Sequence, residues 1–478
     1  MINTELLRLM RANFAFEPTR EQERAFEMLA DFLLSERADG LFLLRGYAGT
    51  GKTSLVGALV KTLQMLRRRV VLLAPTGRAA KVFSLYAGCP AFTIHKKIYR
   101  QKSFSNEQTN YVQGVNLHKH TLFLVDEASM IANDGLAGTG FGTGRLLDDL
   151  IEYVYAGEGC RLLLMGDTAQ LPPVGEEESP ALSVDVLRGY GMEVWQAELT
   201  EVVRQMQCSG ILWNATAVRC RMEMPLAGFP RFRLEGFADV KRVSGEELIE
   251  ALEQCYAHDG TDQTMVVTRS NKRAILYNRG IRARILGYDE ELGGGDRLMV
   301  AKNNYFWTGS EEKGEEEPDM AFIANGDVAT VVRFRRERSL YGFRFADVRL
   351  RFPDYEDTEV EATVLLDTLQ AEAPALTREQ SDRLFYAVWD DYPEITQKRE
   401  RMKKLKSDPY FNALQIKYAY AVTCHKAQGG QWENVFLDVG FMPEGEATTD
   451  FLRWLYTATT RATRNLYLVN WPEDWTEV

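Results

Sequence analysis

Residues 41–66 constrain the fold more than any other stretch. LFLLRG (Leu41–Gly46) is a short apolar run that ends in glycine. Gly46-Tyr47-Ala48-Gly49-Thr50-Gly51-Lys52-Thr53 follows, and then TSLVGALVKTLQML (Thr53–Leu66) with the apolar spacing of a helix. Strand, glycine-rich loop, helix is the context in which G-x-x-x-x-G-K-[ST] wraps a phosphate chain. Small residues let backbone N–H groups turn inward onto the β- and γ-phosphates, and the helix N-terminus adds a favourable dipole. Gly46, Gly49 and Gly51 shape the loop, Lys52 supplies a point charge, Thr53 offers a hydroxyl to Mg²⁺, and Ser54 is a further nucleotide-binding candidate.

The same texture continues. RRVVLLAPT (Arg68–Thr76), TLFLVDEAS (Thr121–Ser129) and CRLLLMGD (Cys160–Asp167) are short apolar runs separated by helix-like stretches. Such a pattern predicts a parallel sheet covered on both faces. A second unit of this kind starts near Gln263 (QTMVVTRS), resumes at KYAYAVTCHKAQ and QWENVFLDV, and closes with FLRWLYTATTRA. Between its pieces, from about Gly295 to Pro409, aromatics and charges alternate (ATVVRFRRERSLYGFRFADVRLRF). That stretch predicts an inserted small β-barrel with a helical return, and Asn325-Gly326 is a hairpin-turn signal within it. The expected division is 1–195, 196–294, 295–409 and 410–478.

Asp126 and Glu127 end an apolar strand. With the phosphate loop upstream, the first carboxylate is expected to hold Mg²⁺ and the second to polarise the attacking water as a general base.

Composition narrows the class. Lys and Arg total 57 against 68 Asp and Glu, a formal net charge of −11, which argues against coating nucleic acid by bulk charge but leaves a local basic channel open. The six cysteines include no Cys-x-x-Cys, so a zinc ribbon or iron–sulfur cluster is not expected, and reduced cysteines packed as small hydrophobes are. The first residues lack a secretory apolar stretch, and no apolar run is long enough to span a bilayer. The expectation is a soluble, cytoplasmic protein with no membrane partner. The acidic stretch Glu311–Asp319 reads as a solvated loop, and the basic run Lys398–Lys406 as a solvated helix face.

Further segments carry a resemblance. Gly166-Asp167-Thr168-Ala169-Gln170-Leu171-Pro172-Pro173-Val174 resembles motif III of superfamily 1 helicases. APTGRAAK (Ala74–Lys81) resembles their motif Ia, and Thr93-Ile94-His95-Lys96 the short DNA contact after it. PTREQ (Pro18–Gln22) resembles the adenine-reading Q motif, LTEVVRQ (Leu199–Gln205) motif IV, TCHKAQGGQW (Thr423–Trp432) motif V and YTATTRA (Tyr456–Ala462) motif VI. All stand in the family's order, and the wording of motifs Ia and V is similar to the RecD/Dda/Pif-type branch, whose members move 5′→3′ on single-stranded DNA.

The resemblance implies an α/β fold: two RecA-like parallel-sheet units, an inserted hairpin in the first and an SH3-like β-barrel plus helices in the second. It implies ATP as substrate with Mg²⁺, and single-stranded DNA and single-strand/duplex junctions as partners. Gln22 would read the adenine edge, Gln170 would sense the γ-phosphate, and Arg204 and Arg461 would reach it as arginine fingers. Pro75, Thr76 and His95 on the first unit, with Thr423, His425 and Lys426 on the second, are its DNA-contact candidates; both histidines have a structural alternative. A β-hairpin pin is expected at about 99–120, where Phe104 or Tyr111 could stack on the terminal base pair. The implied function is an ATP-driven 5′→3′ DNA helicase of the kind used in repair, recombination and replication, working by default as a monomer. An RNA helicase of the same superfamily and a non-motor ATP-gated DNA-binding subunit are the alternatives.

Overall fold

The computed structural model describes residues 2–101, 111–133, 142–203, 208–224, 228–308, 320, 322–440 and 447–477. The first unit is built on a six-stranded sheet whose spatial order is Ala91–Thr93, Arg69–Ala74, Thr121–Val125, Arg161–Gly166, Gly40–Gly46 and Glu193–Leu199. All its pairings are parallel. Continuous apolar runs suit this arrangement because both faces are covered: Leu41 to Leu44 and Leu162 to Met165 are fully buried. One consequence governs the rest of the molecule. The carboxyl ends of five adjacent strands release Gly46, Pro75, Asp126, Asp167 and Thr200 along one edge, the place where open α/β sheets bind ligands.

The second unit has a five-stranded parallel sheet in the order Val240–Val243, Ala462–Val469, Trp432–Asp438, Thr264–Thr268 and Ala421–Thr423. Its core includes the helix Gly210–Met222 through Ile211, Ala215 and Val218, and the helix Thr449–Thr459 through Phe451, Leu452 and Leu455.

The insertion is a closed five-stranded barrel of Arg297–Val300, Val328–Leu340, Phe343–Phe352, Thr358–Leu365 and Leu414–Tyr418. Two sequence boundaries move. The barrel needs Leu414–Tyr418 to close, so the insertion runs past 409, and Glu193–Leu199 pairs with Gly40–Gly46, so the first unit runs past 195. Both errors come from short strands whose partners are remote in sequence. The helices Arg378–Asp390 and Lys398–Lys406 close a small core of their own with Phe343, Phe345 and Leu365. In the basic helix Leu405 is buried while Lys403 and Lys404 are exposed.

The barrel is fixed at both ends. At its root, buried Asp296 takes Arg282 Nε and Nη2 at 2.8 and 2.9 Å, with Tyr420 Oη at 3.2 Å. On the far side it grips the first unit. Lys81 Nζ donates to the Pro353 carbonyl at 2.6 Å, and the barrel's own bond from Tyr355 Oη to Asp327, at 3.0 Å, lies against Gly77. Gly77, at the start of the helix Gly77–Ala87, is required here: a Cβ would lie 2.5 Å from Tyr355 Oη. The expected hairpin begins as Tyr99–Gln101 paired antiparallel with Tyr111–Gln113. Its tip with Phe104 lies outside the described residues, as does the side chain of Tyr111. Among the described residues no helix is long and apolar enough to cross a membrane.

Burial pushes the Asp327 carboxyl up to about 7, with Asp354 adding to it and Tyr355 and the Ala324 N–H opposing. The folded chain therefore holds a proton that the unfolded chain releases near pH 4. Its contribution to stability is full below that pH and is lost as pH rises through about 7. Asp327→Asn is expected to narrow the difference between the Tm at pH 5 and the Tm at pH 8 by about 2 °C, read by thermal unfolding.

Candidate active site

The phosphate loop takes its shape from glycine. Gly49 and Gly51 have φ of +75° and +83°, which side chains with a Cβ rarely adopt. At Gly51 the nearest neighbour of a Cβ would be Gln22 Nε2, at 2.5 Å. The helix Lys52–Met65 then starts with its N–H groups facing the loop. Lys52 Nζ donates to the Gly46 and Tyr47 carbonyls at 2.6 and 2.9 Å, so its charge is held over the loop. Thr53 is half-buried at the helix start, and Ser54 is exposed.

Gln22 stands beside the loop with both ends of its carboxamide engaged. Oε1 accepts from the Thr19 N–H at 2.9 Å, closing the cap of the helix Arg20–Leu34, and Nε2 donates to the Thr50 carbonyl at 2.9 Å. In this conformation it braces the loop.

Asp126 and Glu127 sit on the cleft floor. Glu127 adopts φ +52°, and its N–H donates to Asp126 Oδ1 at 2.7 Å. Burial, then Glu127, raises the Asp126 carboxyl to about 7, with Lys52 opposing. Two crowded carboxylates leave a demand for further positive charge. A hard cation bound through a carboxylate, a hydroxyl and phosphate oxygens fits that demand, so Thr53 and Asp126 suit Mg²⁺. Among the described residues no cluster of three or more His, Cys, Asp or Glu could hold a metal by itself.

The second unit faces this floor. Arg461 is almost fully buried and is anchored by Nε to the Thr457 carbonyl at 3.0 Å and by Nη1 to the Gly430 carbonyl at 3.2 Å. The same Nη1 lies 3.9 Å from Glu127 Oε1, across the cleft. The structure thus brings together the candidate base and a candidate finger. Gln170, next to Leu171 at the seam between the units, is buried, and its Oε1 has no hydrogen-bond partner among the described residues. Arg204 lies outside the described residues.

Residues without a role assigned from the sequence join the two units. Tyr456 Oη accepts from the Ala48 N–H of the phosphate loop at 2.8 Å and donates to Asp167 at 2.7 Å. Burial and Asp167 hold its phenol well above the ordinary range, so it stays protonated and can do both. Leu171, next to Gln170, has both backbone groups bonded from the second unit: its N–H to Thr457 Oγ1 at 2.9 Å and its carbonyl to Gln428 Nε2 at 2.7 Å. The guanidinium of Arg219 lies 4.0 Å over the Tyr47 ring. Hydroxyls at Tyr456 and Thr457 on the buried side of the helix Thr449–Thr459 were the available signal.

The nucleic-acid candidates divide. Thr76 caps the helix Gly77–Ala87, and a Cβ on Gly429 would be 3.1 Å from Thr76 Oγ1. Arg78 donates to the Gln431 carbonyl at 2.9 Å and stacks 4.2 Å over Trp432. Half-buried Pro75 and Thr76 are thereby joined to the segment carrying half-buried Thr423, exposed His425 and half-buried Lys426. His95 is elsewhere. Its ring packs 5.6 Å from Tyr99 and 6.3 Å from Phe322 of the insertion, and burial lowers it to about 4. A neutral imidazole among aromatics fits the structural alternative.

Two sheet units closing on one phosphate loop, with a carboxylate and an arginine meeting across the cleft, define a helicase-type ATPase. Residues 19–220 match the AAA domain family AAA_30, and residues 418–469 the UvrD-like helicase C-terminal domain. An uncharacterized protein of Acanthamoeba polyphaga mimivirus is 21% identical over 94% of this chain and 98% of its own length. The ATP-dependent RecD2 DNA helicase of Deinococcus radiodurans is 26% identical over 60% of this chain, a match that spans 37% of that protein. The ATP-dependent DNA helicase PIF7 of Trypanosoma brucei brucei is 29% identical over 34% of this chain and 15% of its own length. A crystal structure of Pif1 helicase from Bacteroides, in complex with ADP-AlF3 and ssDNA, aligns with a TM-score of 0.46 at 14% identity, covering 95% of this chain and 92% of that one. The two family matches and the RecD2 relative together support a superfamily 1 helicase of the RecD/Pif type.

Tyr456→Phe removes the bridge without changing the helix. It is expected to lower stimulated ATP turnover about tenfold, the scale of a buried hydrogen bond to a charged group, while far-UV circular dichroism stays unchanged.

Proposed function

We propose that this protein is an ATP-driven DNA helicase that moves 5′→3′ on single-stranded DNA and opens duplex at a junction. The observation that carries the reading is Arg461 of the second unit held 3.9 Å from Glu127 of the first, with the Gln170 oxygen, unpartnered among the described residues, at the seam between the units. Glu127 would accept a proton from the attacking water, Gln170 would orient that water, and Arg461 would meet charge growing on the γ-phosphate. Lys52 would leave the Gly46 and Tyr47 carbonyls for phosphate oxygens. Thr53 and Asp126 would hold Mg²⁺, which would supply positive charge to neutralise the phosphates. Arg204, four residues beyond Thr200, is proposed as a second finger.

ATP bound between the units would hold both, and loss of the γ-phosphate would release one. Pro75 and Thr76 on one side, with Thr423, His425 and Lys426 on the other, are the proposed phosphate grip, which would carry no sequence preference. The mechanism works within one chain, so a monomer suffices.

Duplexes bearing either a 5′ or a 3′ single-stranded tail test the reading. Unwinding of the 5′-tailed duplex alone is expected, with loss of at least about a hundredfold in Lys52→Ala. Unwinding from the 3′ tail would overturn the polarity, and ATP turnover stimulated by RNA but not by DNA would overturn the substrate. Phe104 is proposed as the wedge. Phe104→Ala is expected to abolish unwinding and keep DNA-stimulated ATP turnover within about twofold of wild type, and equal loss of both would remove the wedge role.

A further inference from the structure

The chain passes from the first unit to the second once. It leaves the sheet at the end of Glu193–Leu199 and enters the second core with the helix Gly210–Met222. Every rotation of one unit against the other acts on this crossing. Its start is held by a residue with no place in the chemistry above. Glu21, in the first turn of the helix Arg20–Leu34, accepts from the Thr200 N–H at 2.6 Å, the Thr200 hydroxyl at 2.6 Å and the Glu201 N–H at 2.9 Å. Charge-assisted bonds of this length are among the strong ones.

The crossing is pinned on its other side by the phosphate loop. The Tyr47 N–H donates to the Leu199 carbonyl at 3.3 Å, and the Val203 N–H donates to the Gly49 carbonyl at 3.1 Å. Beyond the crossing, Leu212 lies against Gly49 and the Arg219 guanidinium covers Tyr47. Burial alone would raise the Glu21 carboxyl, but Thr200, Glu201 and the charge of Arg219 hold it below the usual range. The next residue, Gln22, braces Thr50 of the loop. Adjacent side chains on one helix turn therefore hold the nucleotide loop and the inter-unit crossing to the same rigid body.

Resting on the helicase reading above, we propose that Glu21 is a positioning residue of the motor: it fixes Thr200 and Glu201 to the first unit, so that the crossing up to Val203 moves with the phosphate loop and a change there is passed to the helix Gly210–Met222. An acidic residue that merely favours its own helix dipole would add stability and nothing else. A clamp on the crossing has a different signature, because slack there spends hydrolysis without movement.

The test compares wild type, Glu21→Ala and Glu21→Gln for ATP hydrolysed per base pair unwound, DNA-free ATP turnover, affinity for a fluorescent ATP analogue, and Tm. For Glu21→Ala, DNA-free turnover and nucleotide affinity are expected to stay within about twofold of wild type, while ATP used per base pair rises at least about fivefold. Glu21→Gln keeps an acceptor oxygen and should fall between the two. A Glu21→Ala chain whose ATP use per base pair matches wild type, even with a lower Tm, overturns the proposal. So does a loss of nucleotide affinity matching the loss of unwinding, which would make Glu21 a binding residue. If wild type hydrolyses ATP with DNA but opens no duplex, the helicase reading fails first and takes the clamp with it; a coupled wild type with an unaffected variant leaves that reading intact.

Discussion

The arrangement depends on one buried polar seam between the two sheet units. Tyr456 bridges the phosphate loop to Asp167, and Thr457 and Gln428 take the two backbone groups of Leu171. Each of these groups would be costly to leave unpaired in a dry interface, so the seam favours a closed cleft with a defined register. Arg461 and Glu127 meet because the seam sets the spacing between the edges that carry them. Beside these hydrogen bonds, Ala169 and Leu171 of the first unit are buried in the core of the second, with Tyr47 and Ala48 packed against it, so the seam is apolar as well as polar.

The inserted barrel meets the same requirement differently. It grows out of the second unit through the buried Arg282–Asp296 pair, yet it touches the first unit at Lys81 and at Gly77, which lies against the barrel's Tyr355. Gly77 belongs to the segment proposed to touch nucleic acid. The barrel shares one buried core with the second unit and also touches the first.

Much of this was legible from local pattern. Apolar runs of four or five residues predicted both parallel sheets, and Leu41 to Leu44 are buried as that pattern requires. The order of the motifs predicted which strand ends would share an edge. The boundaries at 195 and 409 were missed because Glu193–Leu199 and Leu414–Tyr418 are short and acquire strand character from partners far away in the chain. At single residues the neighbours are likewise remote: the His95 ring, a DNA-contact candidate with a structural alternative, lies 6.3 Å from that of Phe322, more than two hundred residues later.

The sequence by itself determined the phosphate loop, the acidic strand end and the two-unit parallel architecture. Each follows from steric freedom at glycine, from charge at a fixed offset, or from hydrophobic period, all of which act over a few residues. Tertiary structure alone decided which polar groups face each other across the cleft: Arg461 with Glu127, Tyr456 with Ala48 and Asp167, Arg219 with Tyr47, and Glu21 with the crossing at Thr200. Those pairings depend on the relative position of two separately folded sheets. Hydrogen bonds read distances of a few tenths of an ångström, which no local pattern encodes.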